Sequence, residues 1–196
     1  LYERMAEAVV KAWQSRKPGA VVWGLGHAVA GHNRRIVYSD GRAKMHGNTN
    51  DPKFRGIEGY EDHSVDVLLF WDEQDRLIAT AINVVCPAQE VEGRSAINAD
   101  YWHPVRESLR AKHGEHLGVL GWIGAAGDQS PRSMINRAAD ARMMTLKGYG
   151  EDYNEARRRD IATRIADVVD EVLDVSKVES GRERLELVRI DTFFRG

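Results

Sequence analysis

The stretch from Ser64 to Cys86 constrains this chain more than any other. Two nearly continuous apolar runs, Ser64 to Trp71 and Arg76 to Cys86, flank the polar turn Asp72 to Asp75. Short runs rich in Val, Ile, Leu and Phe and bounded by turn residues fit strands better than helices, and two of them around one tight turn make a β-hairpin. Neither arm alternates cleanly between apolar and polar residues, so the pattern predicts central strands covered on both faces. A sheet with such a centre needs helices to cover it, and the rest of the chain supplies them.

Tyr2 to Ser15 places Met5, Val9, Ala12 and Trp13 at helical spacing, and Lys17, Pro18 and Gly19 stop the run, which predicts a helix with one buried face. Ala20 to Ala30 is apolar and carries glycines at 24 and 26, the pattern of a strand with close backbone neighbours. His32 to Tyr38 followed by Ser39-Asp40-Gly41-Arg42 signals a hairpin turn, and Lys44 to Glu61 shows no period and is expected to be a long loop. Gln89 to Arg94 is polar loop. Asn98 to His113 predicts a helix with Trp102, Val105 and Leu109 inward and Asp100 as its cap. Leu117 to Ile123 reads as a buried strand, Pro131 to Met144 and Glu151 to Val175 as helices, and Arg184 to Phe194 as a last strand. The run Arg157-Arg158-Arg159 reads as a solvated helix face. No repeat or linker interrupts the chain, so the expectation is one α/β domain with a mixed β-sheet, β-hairpins and helices packed on it. The regular alternation of a Rossmann unit is absent, because the first half is mostly hairpins.

Composition sets wide bounds. At 196 residues and 42% hydrophobic content the chain can bury a substantial core. A net charge of −2, from 28 basic and 30 acidic residues, gives no global attraction to nucleic acid or to an anionic membrane, so any anionic partner would be met locally. No stretch of roughly 18 apolar residues suggests a membrane span, and no signal peptide is visible. The chain opens on Leu1 rather than Met, which suggests a processed or truncated piece. Its single cysteine excludes an internal disulfide framework.

Three places invite chemistry, and each also has a plainer reading. Gly121 to Met134 joins a strand to a helix through a loop with little bulk. Ser130 before Pro131 is either a helix N-cap or a nucleophile, and Gly124 and Gly127 either make a turn or let a substrate approach the backbone. The Gly-x-Ser-x-Gly elbow of α/β-hydrolases is absent, since Asp128 and Arg132 stand where its glycines belong. Arg34 and Arg35 are either a charged strand edge or part of a site. Cys86 is either a small apolar filler or a ligand. His46 and His63 lack ligand spacing.

Gly127-Asp128-Gln129-Ser130-Pro131 resembles the Gly-Asp-x-Ser-Pro motif of the neutral/alkaline non-lysosomal ceramidases, zinc-dependent amidases. The order of the surrounding features is similar too, with Asn33-Arg34 first, then strands ending in Asn83-Val84-Val85-Cys86, then Asn98 to Trp102, then the serine loop. The resemblance runs from about Met5 to Ile190 and implies part of a catalytic domain. It implies catalytic roles for Ser130 and for Arg34, which would contact an anionic oxygen, and substrate contacts by Asn33, Gly127, Asp128 and Tyr101. It also implies a zinc site to which Cys86 contributes, at the place where the family has a histidine. The family's other ligands come from a His-x-His segment upstream and from a glutamate and a tyrosine downstream, and none of these lies in this chain. The implied substrate is a small-molecule or lipid amide, met at or near a membrane surface, and the implied setting is secreted or periplasmic. The alternative is a binding domain that keeps the fold without hydrolysis.

Overall fold

The protein is described by a computed structural model over residues 1–176; the strand expected at Arg184 to Phe194 lies outside the described residues. The hairpin forms as the sequence requires: β6 (Ser64–Asp72) and β7 (Leu77–Val84) pair antiparallel and are the two central strands of a sheet in the order β1-β6-β7-β8. β1 (Gly19–His27) flanks β6 antiparallel, and β8 (Gly118–Ile123) lies parallel to β7 at the other edge. The sheet is therefore mixed, and the class is α/β.

One face of this sheet is buried under helices. Val65, Val67 and Leu69 of β6 and Ile82 and Val84 of β7 pack with Val105 and Leu109 of α2 (Trp102–His113) and with Ile161, Ile165, Val168, Val169 and Val172 of α4 (Tyr153–Ser176). Burial of each such side chain stabilises the fold by about 1.5–3 kcal/mol, so this layer holds the domain together. Glycine makes the close approach possible where the helices cross the sheet edges. A Cβ on Gly24 would fall 2.6 Å from Val172 Cγ1, and one on Gly121 would fall 2.4 Å from the Trp102 ring. The other face differs from expectation. Val21, Trp23 and Leu25 of β1 and Leu120 and Trp122 of β8 are exposed on it, and in the central strand β6 Asp66 is exposed and Leu68 and Phe70 are only half-buried, so among the described residues this face is not covered as the first is. α1 (Tyr2–Gln14) forms where its period predicts, yet none of its residues is buried, because none of the other described residues covers the Met5, Val9 and Trp13 stripe.

Smaller sheets extend from the main one. β3 (Arg35–Tyr38) pairs with β4 (Ala43–Met45) across the Asp40-Gly41 turn, and also with β5 (Phe54–Ile57). The long loop expected between Lys44 and Glu61 is thus partly strand. β2 (His32–Asn33) and β9 (Gln129–Ser130) form a separate antiparallel ribbon. α3 (Arg137–Leu146) begins later than expected, and so does α2. Asp100 is not its cap: it stands at φ 50°, and its carboxylate accepts from the Tyr101 and Val91 N–H groups, at 2.8 Å each, tying the preceding loop down.

Candidate active site

The sheet register explains why residues distant in sequence meet. His27 pairs with Ser64, Val65 with Val84, and Val84 with Ile123, so β1, β7 and β8 leave the sheet and β6 enters it at the same end. The segments beyond that end carry β2, the Cys86 loop, β9 and Glu61. Ligands collect at such strand ends in open α/β sheets.

The β2–β9 ribbon is the framework. His32 stands opposite Ser130 and Asn33 opposite Gln129. Arg34 continues the pairing, its N–H donating to Asp128 O at 2.8 Å while its guanidinium Nη2 donates to Gly127 O at 2.8 Å and Nη1 lies 3.2 Å from His46 Nε2. Asn33 is buried, its amide donating to Asp128 Oδ2 at 2.8 Å and its own oxygen accepting the Arg35 N–H. Asn33, Asp128, Gln129, Tyr60 and Val85 border a cavity of about 340 Å³. A Cβ on Gly127 would meet nothing within 4 Å, which leaves open space over that part of the loop.

Ser130 is 3% exposed and lies in a strand rather than at a helix start. The N-cap expectation is therefore corrected: the N-cap position of α3 is Asn136, and Ser130 Oγ instead accepts the Arg132 N–H at 3.2 Å. The cause is the ribbon, in which Ser130 is paired with His32. At the same corner lies Arg157, which the sequence places on a solvated face but which is 3% exposed. Its guanidinium donates to Pro131 O and reaches the Asp140 carboxylate, with Nε 3.4 Å from Oδ2. That contact ties the backbone beyond Ser130 to α4. Arg132 braces the same corner by donating to the carbonyls of Gln89 and Glu90, at 3.0 Å each.

Cys86 lies beside the start of the ribbon. A Cβ on Gly31 would come 3.2 Å from Cys86 Cβ, and the Cys86 thiol donates to Ala30 O at 3.3 Å. Tyr101 is fully buried and donates its hydroxyl to Cys86 O at 2.5 Å, so it supports the loop from inside and has no face open to a substrate. Burial pushes the Cys86 thiol up to about 12, against the opposing pull of Arg157. A zinc ligand must be a thiolate, and this site favours the protonated form. Among the described residues no group of three or more His, Cys, Asp or Glu side chains gathers in a way that could hold a metal. By themselves the described donors do not complete a zinc site.

Three residues here were not legible in the sequence as site residues. His32 Nδ1 lies 3.3 Å from Glu61 Oε2, while Glu61 Oε1 accepts the Asn33 N–H at 2.9 Å. Burial lowers the His32 pKa, with Glu61 opposing and Arg157 adding to the fall. Glu90 is fully buried with neither carboxylate oxygen hydrogen-bonded, and burial raises it to about 7 despite Arg157 and Arg132. A glutamate inside a segment read as polar loop gives no sequence signal of that kind.

No protein-family model matches the chain, and no curated protein matches it. Among solved structures, neutral ceramidase from Pseudomonas aeruginosa is similar over 86% of this chain and 25% of that one, with a TM-score of 0.59 and 18% identity. A ceramidase complexed with C2 is similar over 84% of this chain and 24% of that one, with a TM-score of 0.56 and 18% identity. The chain has a ceramidase-like fold. It spans about a quarter of the length of the ceramidases it matches. At this identity the likeness is one of fold, and the role of each residue in the ceramidase-like framework rests on its own geometry.

Proposed function

We propose that this chain forms part of an amide hydrolase acting on a small-molecule or lipid amide, with Ser130 as nucleophile and Arg34 facing the developing oxyanion. The observation that carries this reading is the β2–β9 ribbon, which fixes Ser130 by backbone pairing and holds Arg34 across the Gly127 loop. A nucleophile needs a fixed position, and an oxyanion needs donors that are already oriented before charge develops. The Arg34 Nε–H is buried without a partner, so the guanidinium has donor capacity left. Asn33 and Asp128, on the rim of the adjoining cavity, are the substrate contacts this reading assigns. The ceramidase-like fold adds the expectation of an N-acylated amine as substrate. A lipid substrate would be met at a membrane surface, and no helix among the described residues is long and apolar enough to cross one.

Zinc dependence, which the resemblance implies, would need ligands other than those the described residues gather, with Cys86 contributing only as a thiolate. The competing reading, a domain that binds without hydrolysing, draws on that same protonated thiol. Ser130→Ala separates the two. Its turnover of an amide substrate is expected to fall by at least about 10³-fold, while stability changes by about 1 kcal/mol. Unchanged turnover in a variant with a lowered melting temperature would leave Ser130 a structural residue.

A further inference from the structure

We infer that His32 is the general base that activates Ser130, and that Glu61 is the positioning residue that fixes its ring. The inference rests on the proposed role of Ser130. His32 and Ser130 are direct cross-strand partners, and side chains so paired have Cβ atoms about 4.5–5.5 Å apart. Opposed side chains at that spacing are within reach of one another, and catalytic hydrogen bonds that are open in the free protein tighten when substrate binds. Glu61 decides which nitrogen. Its Oε2 lies 3.3 Å from His32 Nδ1, which therefore carries the proton and leaves Nε2 bare. Because Oε1 of the same carboxylate holds the Asn33 N–H, ring and strand are positioned by one group. Ser130 Oγ accepts from the Arg132 N–H, which leaves its own proton to be given away.

The charged and titratable groups that act on His32 are Glu61 and His63 on the segment leading into β6 and Arg157 on α4. His63 Nε2 lies 3.5 Å from the shared Glu61 Oε2, and burial keeps His32 in the neutral form a base requires.

The step balances without an outside reagent. Ser130 Oγ bonds to the amide carbon as its proton passes to His32 Nε2. The C–N bond then breaks as that proton passes to the leaving amine. Water, deprotonated by the same nitrogen, cleaves the acyl-serine to a carboxylic acid and free Ser130, with no change of oxidation state.

A fluorophosphonate probe tests this without knowledge of the substrate, because it reacts with activated serines. In the full-length protein the probe should modify Ser130, as located by peptide mass spectrometry. His32→Gln should slow modification by about 10²–10⁴-fold at an unchanged melting temperature. Imidazole added to His32→Gly should restore part of the rate, a rescue that a merely structural role would not give. Glu61→Gln should shift the pH at which the rate rises. Modification of His32→Gln at the wild-type rate would overturn the inference, as would failure of imidazole to rescue. Ser130→Ala with full amide turnover would instead overturn the proposed function, so the two failures are distinguishable.

Discussion

Two nucleophilic atoms hang from the same end of the sheet, and their surroundings differ in kind. Cys86 is 1% exposed and Ser130 is 3% exposed, so burial does not separate them. Around Cys86 are carbonyl oxygens, which accept from the thiol, and the Tyr101 ring; with no cation close enough to outweigh desolvation, the sulfur keeps its proton. Around Ser130 are a histidine with its own carboxylate, and arginines that hold carbonyls on either side. On the proposed reading, a buried nucleophile becomes a site when something nearby can take its proton. Without such a group the same burial only packs it.

Breaking the arginine bracing should have the largest effect. Arg157→Ala would leave Pro131 O without its partner, Asp140 with the Tyr153 hydroxyl but no guanidinium, and Glu90 without the cation that acts on it most. Removing one member of a buried charge pair costs about 3–5 kcal/mol. Urea denaturation should show a loss of that order, and turnover should fall with it because Ser130 loses its backbone anchor. A loss below about 1 kcal/mol, the range of exposed pairs, would mean that Arg157 is effectively solvated after all.

Glu90 sharpens the comparison from the other side. Its carboxyl is raised from 4.5 to about 7 in the folded protein. The folded state therefore binds the proton more tightly than the unfolded chain. The resulting stability is fully present below pH 4.5 and is lost as pH rises through 7, amounting to a difference on the order of 3 kcal/mol. Glu90→Gln removes the ionisation and should raise the melting temperature relative to wild type at pH 8, with little difference at pH 4. A variant that is less stable than wild type at pH 8 would show that ionised Glu90 pairs productively with Arg157 and Arg132.

Much of the framework was legible because short-range pattern decides it. The Ser64 to Cys86 hairpin, the Asp40-Gly41 turn and the Ile161 to Val172 stripe of α4 follow from residue type and period alone. Exposure was less legible, since period reports that a face is apolar but not whether anything covers it. The bare stripe of α1 and the open face of the sheet are both such cases. In the site, the Gly127 to Pro131 motif and Asn33-Arg34 pointed to the ribbon. The helix start expected at Ser130 failed because pairing with His32, on a strand distant in sequence, overrides the local signal. His32 and Glu61 are 29 residues apart with β3, β4 and β5 between them, so only the folded chain brings them together.

The central claim is that the reactive centre lies on the ribbon and that the buried thiol beside it is packing. Cys86→Ala tests it most directly, with amide turnover and bound zinc measured on one preparation of the full-length protein. The account predicts turnover and metal content at the wild-type level, with about 1 kcal/mol of stability lost along with the thiol's hydrogen bond. Loss of zinc and turnover together in a variant that still folds would contradict it, and would make Cys86 a metal ligand.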